Sequence, residues 1–271
     1  MFKKLIVYAA FIIAALAIFT AIFAYAIVPY DPNEIDLLAK FEPASLSHLL
    51  GTDHLGRDEF SRLLTAASIS LNSAFATLFL ILFLGILIGG AAGFAGGRTD
   101  QVLMRVCDVF FSVPTVILAL FFVGILGTGL INVVIAIAVS HWAWYARIVR
   151  SIVLGLKNAD YVLITRVSGA SAAANFRKNM LRPILAQCSV LATLDLGHIV
   201  LHIAGLSFLG LGVKAPTPEW GVMISDGKEY LFSHPELIYY PGAAIFLCVM
   251  SFNIIGDYLR DKFGVHEEMG H

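Results

Sequence analysis

Long apolar runs alternate with short polar intervals along this chain, and the runs are of membrane length. The first extends from Leu5 to Val28 behind Lys3 and Lys4. At 1.5 Å per residue it can cross a hydrocarbon layer about 30 Å thick. A secretory signal would have a shorter apolar core, a small-residue cleavage site and a soluble protein behind it. Here more runs follow, so the stretch reads as a permanent first helix. The others lie at about Ser73–Phe94, Met104–Leu126, Ile131–Leu154, Ile184–Leu211 and Leu237–Tyr258. The pattern predicts an all-α membrane protein with six transmembrane helices. An N-terminal helix occupies 1–28, an extracytoplasmic segment 29–72, five core spans 73–258 and a cytoplasmic tail 259–271. Pro114 predicts a kink in the third span. Gly85, Gly89 and Gly93 recur every four residues in the second, a stripe that lets another helix approach closely.

Composition agrees. The chain is 59% hydrophobic and 14% charged, with a mean hydropathy of +0.84, which excludes a soluble domain. Cys107, Cys188 and Cys248 stand singly in apolar segments, without disulfide or metal-ligand spacing, and read as small buried hydrophobes. Six spans put both termini in the cytoplasm. Thirteen of the 18 Lys and Arg then fall inside, against Lys40, Arg57, Arg62, Lys214 and Lys228 outside, as the positive-inside rule requires.

That topology makes the interval 156–183 cytoplasmic. It carries Arg166, Arg177, Lys178 and Arg182, with Gly169 flanked by Ser168, Ala170 and Ser171. A small, basic, bent segment between spans suits docking to a soluble partner; the same composition also describes an ordinary cytoplasmic loop. Outside, Asp53, His54, Asp58 and Glu59 resemble a metal cluster. Gly51 and Gly56 signal turns, however, and Arg57 and Arg62 offer partners, so a hydrogen-bonded structural element is expected. Asp108 is expected to pair with Arg105. Trp142, Trp144 and Trp220 read as packing or interfacial anchors.

Several segments together carry a resemblance. GTDHLGRDEFSRL is similar to an external GTD-x-x-GRD-x-x-SR segment, and TDQVLMRVCDVFFSVP to a D-x-x-(L/M)-MR-x-x-D…P stretch; YARIVRS and LSFLGLG also match. These resemble the permease subunits of ATP-binding-cassette importers of the dipeptide/oligopeptide/nickel group. Gly169-Ala170-Ser171 fits the glycine-centred part of that family's coupling loop, whereas Leu163-Ile164-Thr165 stands where an acidic-Ala-Ala segment would be. Within the group, HWAWYARIVRS, TLDLGHIVLHIAGLSFLGLG and PEWGVMI are most similar to nickel-transporting members.

The resemblance implies a type I ABC importer permease fold in a bacterial cytoplasmic (inner) membrane. It implies a second related permease subunit, two cytoplasmic ATP-binding subunits and an extracytoplasmic solute-binding protein as partners, in a lipid bilayer and without nucleic acid. Arg166, Gly169, Ala170, Ser171 and Arg177 would meet the ATPases. ATP and Mg would sit on those subunits, with no cofactor and no catalytic residue here; the chain has no GxxxxGK[ST] phosphate loop. The solute would be nickel, free or in a small chelate; di/oligopeptides or opine-type metallophores are the alternative.

Ionisable groups at membrane depth mark where a solute could touch the chain. Asp195, His198 and His202 share one face of the fifth span, and His141 lies mid-way along the fourth. Imidazole and carboxylate suit a borderline cation such as Ni²⁺, with His198 and His202 as transient ligands; the same groups could instead hydrogen-bond between helices. The His198-x-x-x-His202 pair also suggests an intramembrane metalloprotease, but Ile199 stands where a catalytic acid would be needed. A self-contained channel or carrier would not need a coupling loop.

Overall fold

The computed structural model describes residues 2–263, which form ten α-helices, two short 3₁₀ turns, a π-helical turn at Phe176–Met180 and no strands among the described residues. The helices are α1 (Phe2–Ile27), α2 (Glu59–Ala95), α3 (Gly97–Phe111), α4 (Thr115–Leu126), α5 (Leu130–Lys157), α6 (Asp160–Val167), α7 (Ala172–Asn175), α8 (Leu181–Phe208), α9 (Trp220–Gly227) and α10 (Glu236–Phe263). Five helical runs are each long and apolar enough to cross a membrane, and α3 with α4 makes a sixth span if the bent pair counts as one.

The closest packing is between α2 and α5, and the glycine stripe is its cause. A β-carbon on Gly85 would lie 2.5 Å from Cβ of Tyr145, on Gly89 2.2 Å from the Ala146 carbonyl oxygen, and on Gly93 2.8 Å from Cβ of Val153. No side chain larger than hydrogen fits there. The α1 helix uses alanines similarly, burying Ala10, Ala14, Ala21 and Ala24 while Phe11, Ile12, Ile18, Phe19, Ile22 and Phe23 are exposed.

Three features differ from the sequence pattern. The second helix begins at Glu59 rather than near Ser73, because Asp58 caps it: its carboxylate accepts from the Ser61 amide at 2.7 Å. Hydropathy located the apolar stretch, whereas the cap sets the start of the helix. At Pro114 the third span bends by 91° between α3 and α4, far more than a kink. Asp108 pairs with Arg147 of α5 at 2.5 Å, not with Arg105. Packing α3 along α5 brings Arg147 across to it and over the Phe111 ring, and also lets Arg150 grip Asp100 with two nitrogens. The helix of the last span continues to Phe263; residues 264–271 of the expected tail lie outside the described residues.

The outer cluster is a hydrogen-bonded element, as expected. Asp53 accepts from the Leu55 and Arg57 amides and from Arg57 Nε at 2.6 Å, and Asp58 meets His48 Nδ1 at 2.9 Å. Arg62 donates to the carbonyls of Pro32 and Pro216, and both arginines reach Asp226 of α9. Glu219 caps α9, accepting from the Gly221 and Val222 amides and from Ser70 Oγ of α2. Burial pushes its carboxyl above the usual range, against those hydrogen bonds. Trp142 and Trp220 are buried packing residues and Trp144 is half-buried.

Candidate functional site

Two places bring chemistry-bearing residues together, one in the polar interval after α5 and one within the bundle. In the first, Lys157 ends α5 by donating to the Phe94 carbonyl at 2.8 Å. The chain then forms α6, whose end is a Schellman turn: the Gly169 amide donates to the Arg166 carbonyl and the Ala170 amide to that of Thr165. Gly169 has φ +85°, the left-handed region, and a β-carbon there would have nothing within 4 Å. The backbone, not crowding, calls for glycine. Ser171 then caps α7 through the Ala174 amide.

Two asparagines hold this element rigid. Asn175 is buried and donates to the Val162 carbonyl at 3.1 Å; Asn179 donates to Asn175 Oδ1 at 2.7 Å and to Thr165 Oγ1 at 3.0 Å. Val162 points inward, while Tyr161, Leu163, Ile164 and Val167 are exposed, Val167 at 88%. Arg166 and Arg177 are exposed beside them, as are Gly169 and Ser171, with Ala170 half-buried. The expected coupling residues are thus solvent-facing apart from the half-buried Ala170, and the asparagine bonds tie α6 to the segment that follows it. Nothing in hydropathy marked the asparagines; their i, i+4 spacing on a helix was the available signal.

Within the bundle, Asp195 of α8 is buried and its Oδ2 lies 3.1 Å from Nε2 of His141 on α5. His202 is half-buried and within electrostatic reach of both. His198 is exposed, His202 half-buried and Asp195 buried, so the three groups differ in burial along the face that helical spacing gives them. The structure joins His141 to Asp195, a pairing between spans that helical spacing alone does not give. Among the described residues no three His, Cys, Asp or Glu side chains converge as a preformed metal cage. Tyr145, one turn beyond His141, is fully buried with its hydroxyl beside Asp195. Nothing in the sequence sets Tyr145 apart from the other aromatics of this helix.

Comparison with known proteins places these features. Residues 82–264 match the family described as the binding-protein-dependent transport system inner membrane component. The chain belongs to this family. It is 52% identical over 257 residues to the nickel transport system permease protein NikC of Escherichia coli K12, covering 95% of this chain and 93% of that one. It is 37% identical to the metal-staphylopine import system permease protein CntC of Staphylococcus aureus Mu50, over 92% of this chain and 86% of that one. To the oligopeptide transport system permease protein OppC of Bacillus subtilis it is 38% identical, over 92% and 82%. As a member, the chain is a permease subunit of the inner membrane with the all-helical type I architecture.

Proposed function

We propose that this permease subunit forms one half of an ATP-driven import pathway for nickel, as Ni²⁺ or a small nickel chelate. The observation that carries the reading is 52% identity along nearly the whole chain to a nickel permease, against 38% to an oligopeptide permease. A buried carboxylate and an imidazole 3.1 Å apart within the bundle are chemistry that a divalent cation can use. His198 and His202 lie one and two turns beyond Asp195 and could pass the cation along the helix.

A second related permease completes the pathway, and an extracytoplasmic binding protein delivers the solute. Two cytoplasmic ATPases dock on the surface formed by α6, Gly169, Ala170, Ser171, Arg166 and Arg177, and hold the ATP and Mg. The exposed apolar side chains of α6 supply contact area and the arginines supply charge, while the pinned turn transmits movement to α8. Both termini face the cytoplasm in this arrangement.

The test is uptake of radioactive nickel by cells expressing the complete transporter, with dipeptides or chelates as competitors. Saturable, ATP-dependent nickel entry unaffected by peptides is expected. Uptake of labelled peptide without nickel entry would move the chain to the peptide branch.

A further inference from the structure

Five buried side-chain nitrogen or oxygen atoms lack a hydrogen-bond partner among the described residues, and three belong to one place: His141 Nε2, Tyr145 Oη and Asp195 Oδ2. Tyr145 is fully buried and Asp195 is 7% exposed. The three meet at one carboxylate, with Asp195 Oδ2 3.1 Å from His141 Nε2 and the Tyr145 hydroxyl beside Asp195, but none of these contacts has good hydrogen-bond geometry, and buried polar atoms are nearly always satisfied. His141 Nε2 and Asp195 Oδ2 are only 3.1 Å apart, yet they do not make a hydrogen bond. The carboxylate oxygen therefore lies off the axis of the ring nitrogen.

We infer that these three groups form a niche for a bare divalent transition-metal cation, stripped of any chelator, and that Tyr145 is part of it. This rests on the nickel reading above and names the form in which the solute passes. Metal–nitrogen and metal–oxygen bonds of about 2.1 Å put neighbouring ligand atoms about 3.0 Å apart at a right angle and about 3.4 Å apart in a tetrahedron. The observed 3.1 Å lies between them, so a cation can bridge the two atoms with little movement. Among the described residues Asp195 has no Lys or Arg partner; the one basic group at salt-bridge distance is the His141 imidazole, and a bridging cation supplies positive charge to the carboxylate without that ring being protonated.

Size argues for the stripped ion: the three atoms are almost fully enclosed, so opening the site for a single ion takes the smallest movement and opening it for a chelate or peptide a much larger one. Gly85 of α2 presses against Cβ of Tyr145 and fixes the phenol in position, one turn from His141 on the same helix face. With two firm ligands and a phenol, the set is incomplete, which suits a place the ion must leave.

The test is equilibrium binding of radioactive Ni²⁺ alone to the purified complete transporter in nanodiscs, without nucleotide, alongside uptake in cells. Assembly of each variant is checked by co-purification of its partner subunits. One Ni²⁺ per complex is expected, with an imidazole signature by X-ray absorption that His141→Gln removes. Asp195→Asn should weaken binding at least thirtyfold and Tyr145→Phe threefold to tenfold, with uptake per assembled complex falling in the same order. Nickel uptake by the unaltered transporter together with undiminished binding and uptake in Asp195→Asn and Tyr145→Phe would overturn the niche and leave the nickel permease standing. Absence of nickel uptake by the unaltered transporter would overturn the nickel reading itself. Retention of an intact chelate around the bound metal would overturn the stripped-ion form.

Discussion

At the scale of single residues, Gly169 separates conformation from contact. Its φ of +85° disfavours side chains, but the space beside it is open. Asparagine tolerates that backbone and a β-branched residue does not, by about 1–2 kcal/mol. Gly169→Asn should therefore keep most transport-coupled ATPase activity in the assembled complex, and Gly169→Val should lose most of it. Gly169→Trp should abolish transport while assembly survives, because its bulk enters the surface offered to the ATPase; normal uptake by that variant would remove the coupling role.

His54 offers a pH test. Burial is the largest influence on its imidazole and pushes it below the ordinary value, against the opposing pull of Asp53. The unfolded chain binds the proton more readily, so this contribution is complete above about pH 6.5 and is lost as the pH falls through that value. The melting temperature in detergent should fall on acidification, and His54→Gln should flatten that dependence. An unchanged slope would mean that other groups carry it.

At the scale of elements, the α2–α5 contact is the most sensitive to added volume. Gly89→Ala puts a methyl group 2.2 Å from the Ala146 carbonyl oxygen, where backbone cannot yield easily. A loss of about 1–3 kcal/mol is expected, read as a lower melting temperature and lower yield. Gly124→Ala, with nothing within 4 Å of its β-carbon, is the control. The Asn175 side chain is the corresponding point in the coupling element. Asn175→Ala removes the bond to the Val162 carbonyl, leaves Asn179 with Thr165 Oγ1 as its remaining acceptor and loosens α6, costing about 1–2 kcal/mol locally. Hydrogen exchange in α6 should speed up while the spans stay protected.

At the scale of the whole molecule, orientation is the testable property. The three native cysteines are buried, so single introduced thiols report cleanly. Ser168→Cys should react with an impermeant maleimide only from the cytoplasmic side, and Ser233→Cys only from outside; both serines are exposed. The reverse pattern would invert the topology and remove the docking surface from the ATPases.

Much of this was determined by the sequence alone. Apolar length fixes which stretches span, because a backbone in lipid must satisfy its own hydrogen bonds. Glycines every four residues marked the face that α5 occupies, and the charge-rich outer segment was legible as a hydrogen-bonded element from its turns and paired signs. Hydropathy could not show that Asp58 starts α2 fourteen residues before Ser73, since caps act through geometry and not through polarity. Nor could it give the 91° bend at Pro114, the partner of Asp108, or the different burial of His198 and His202. Those depend on which helix lies against which. The niche at Asp195 is the clearest case: its three groups come from two helices, and only their packing brings His141 and Tyr145 to one carboxylate.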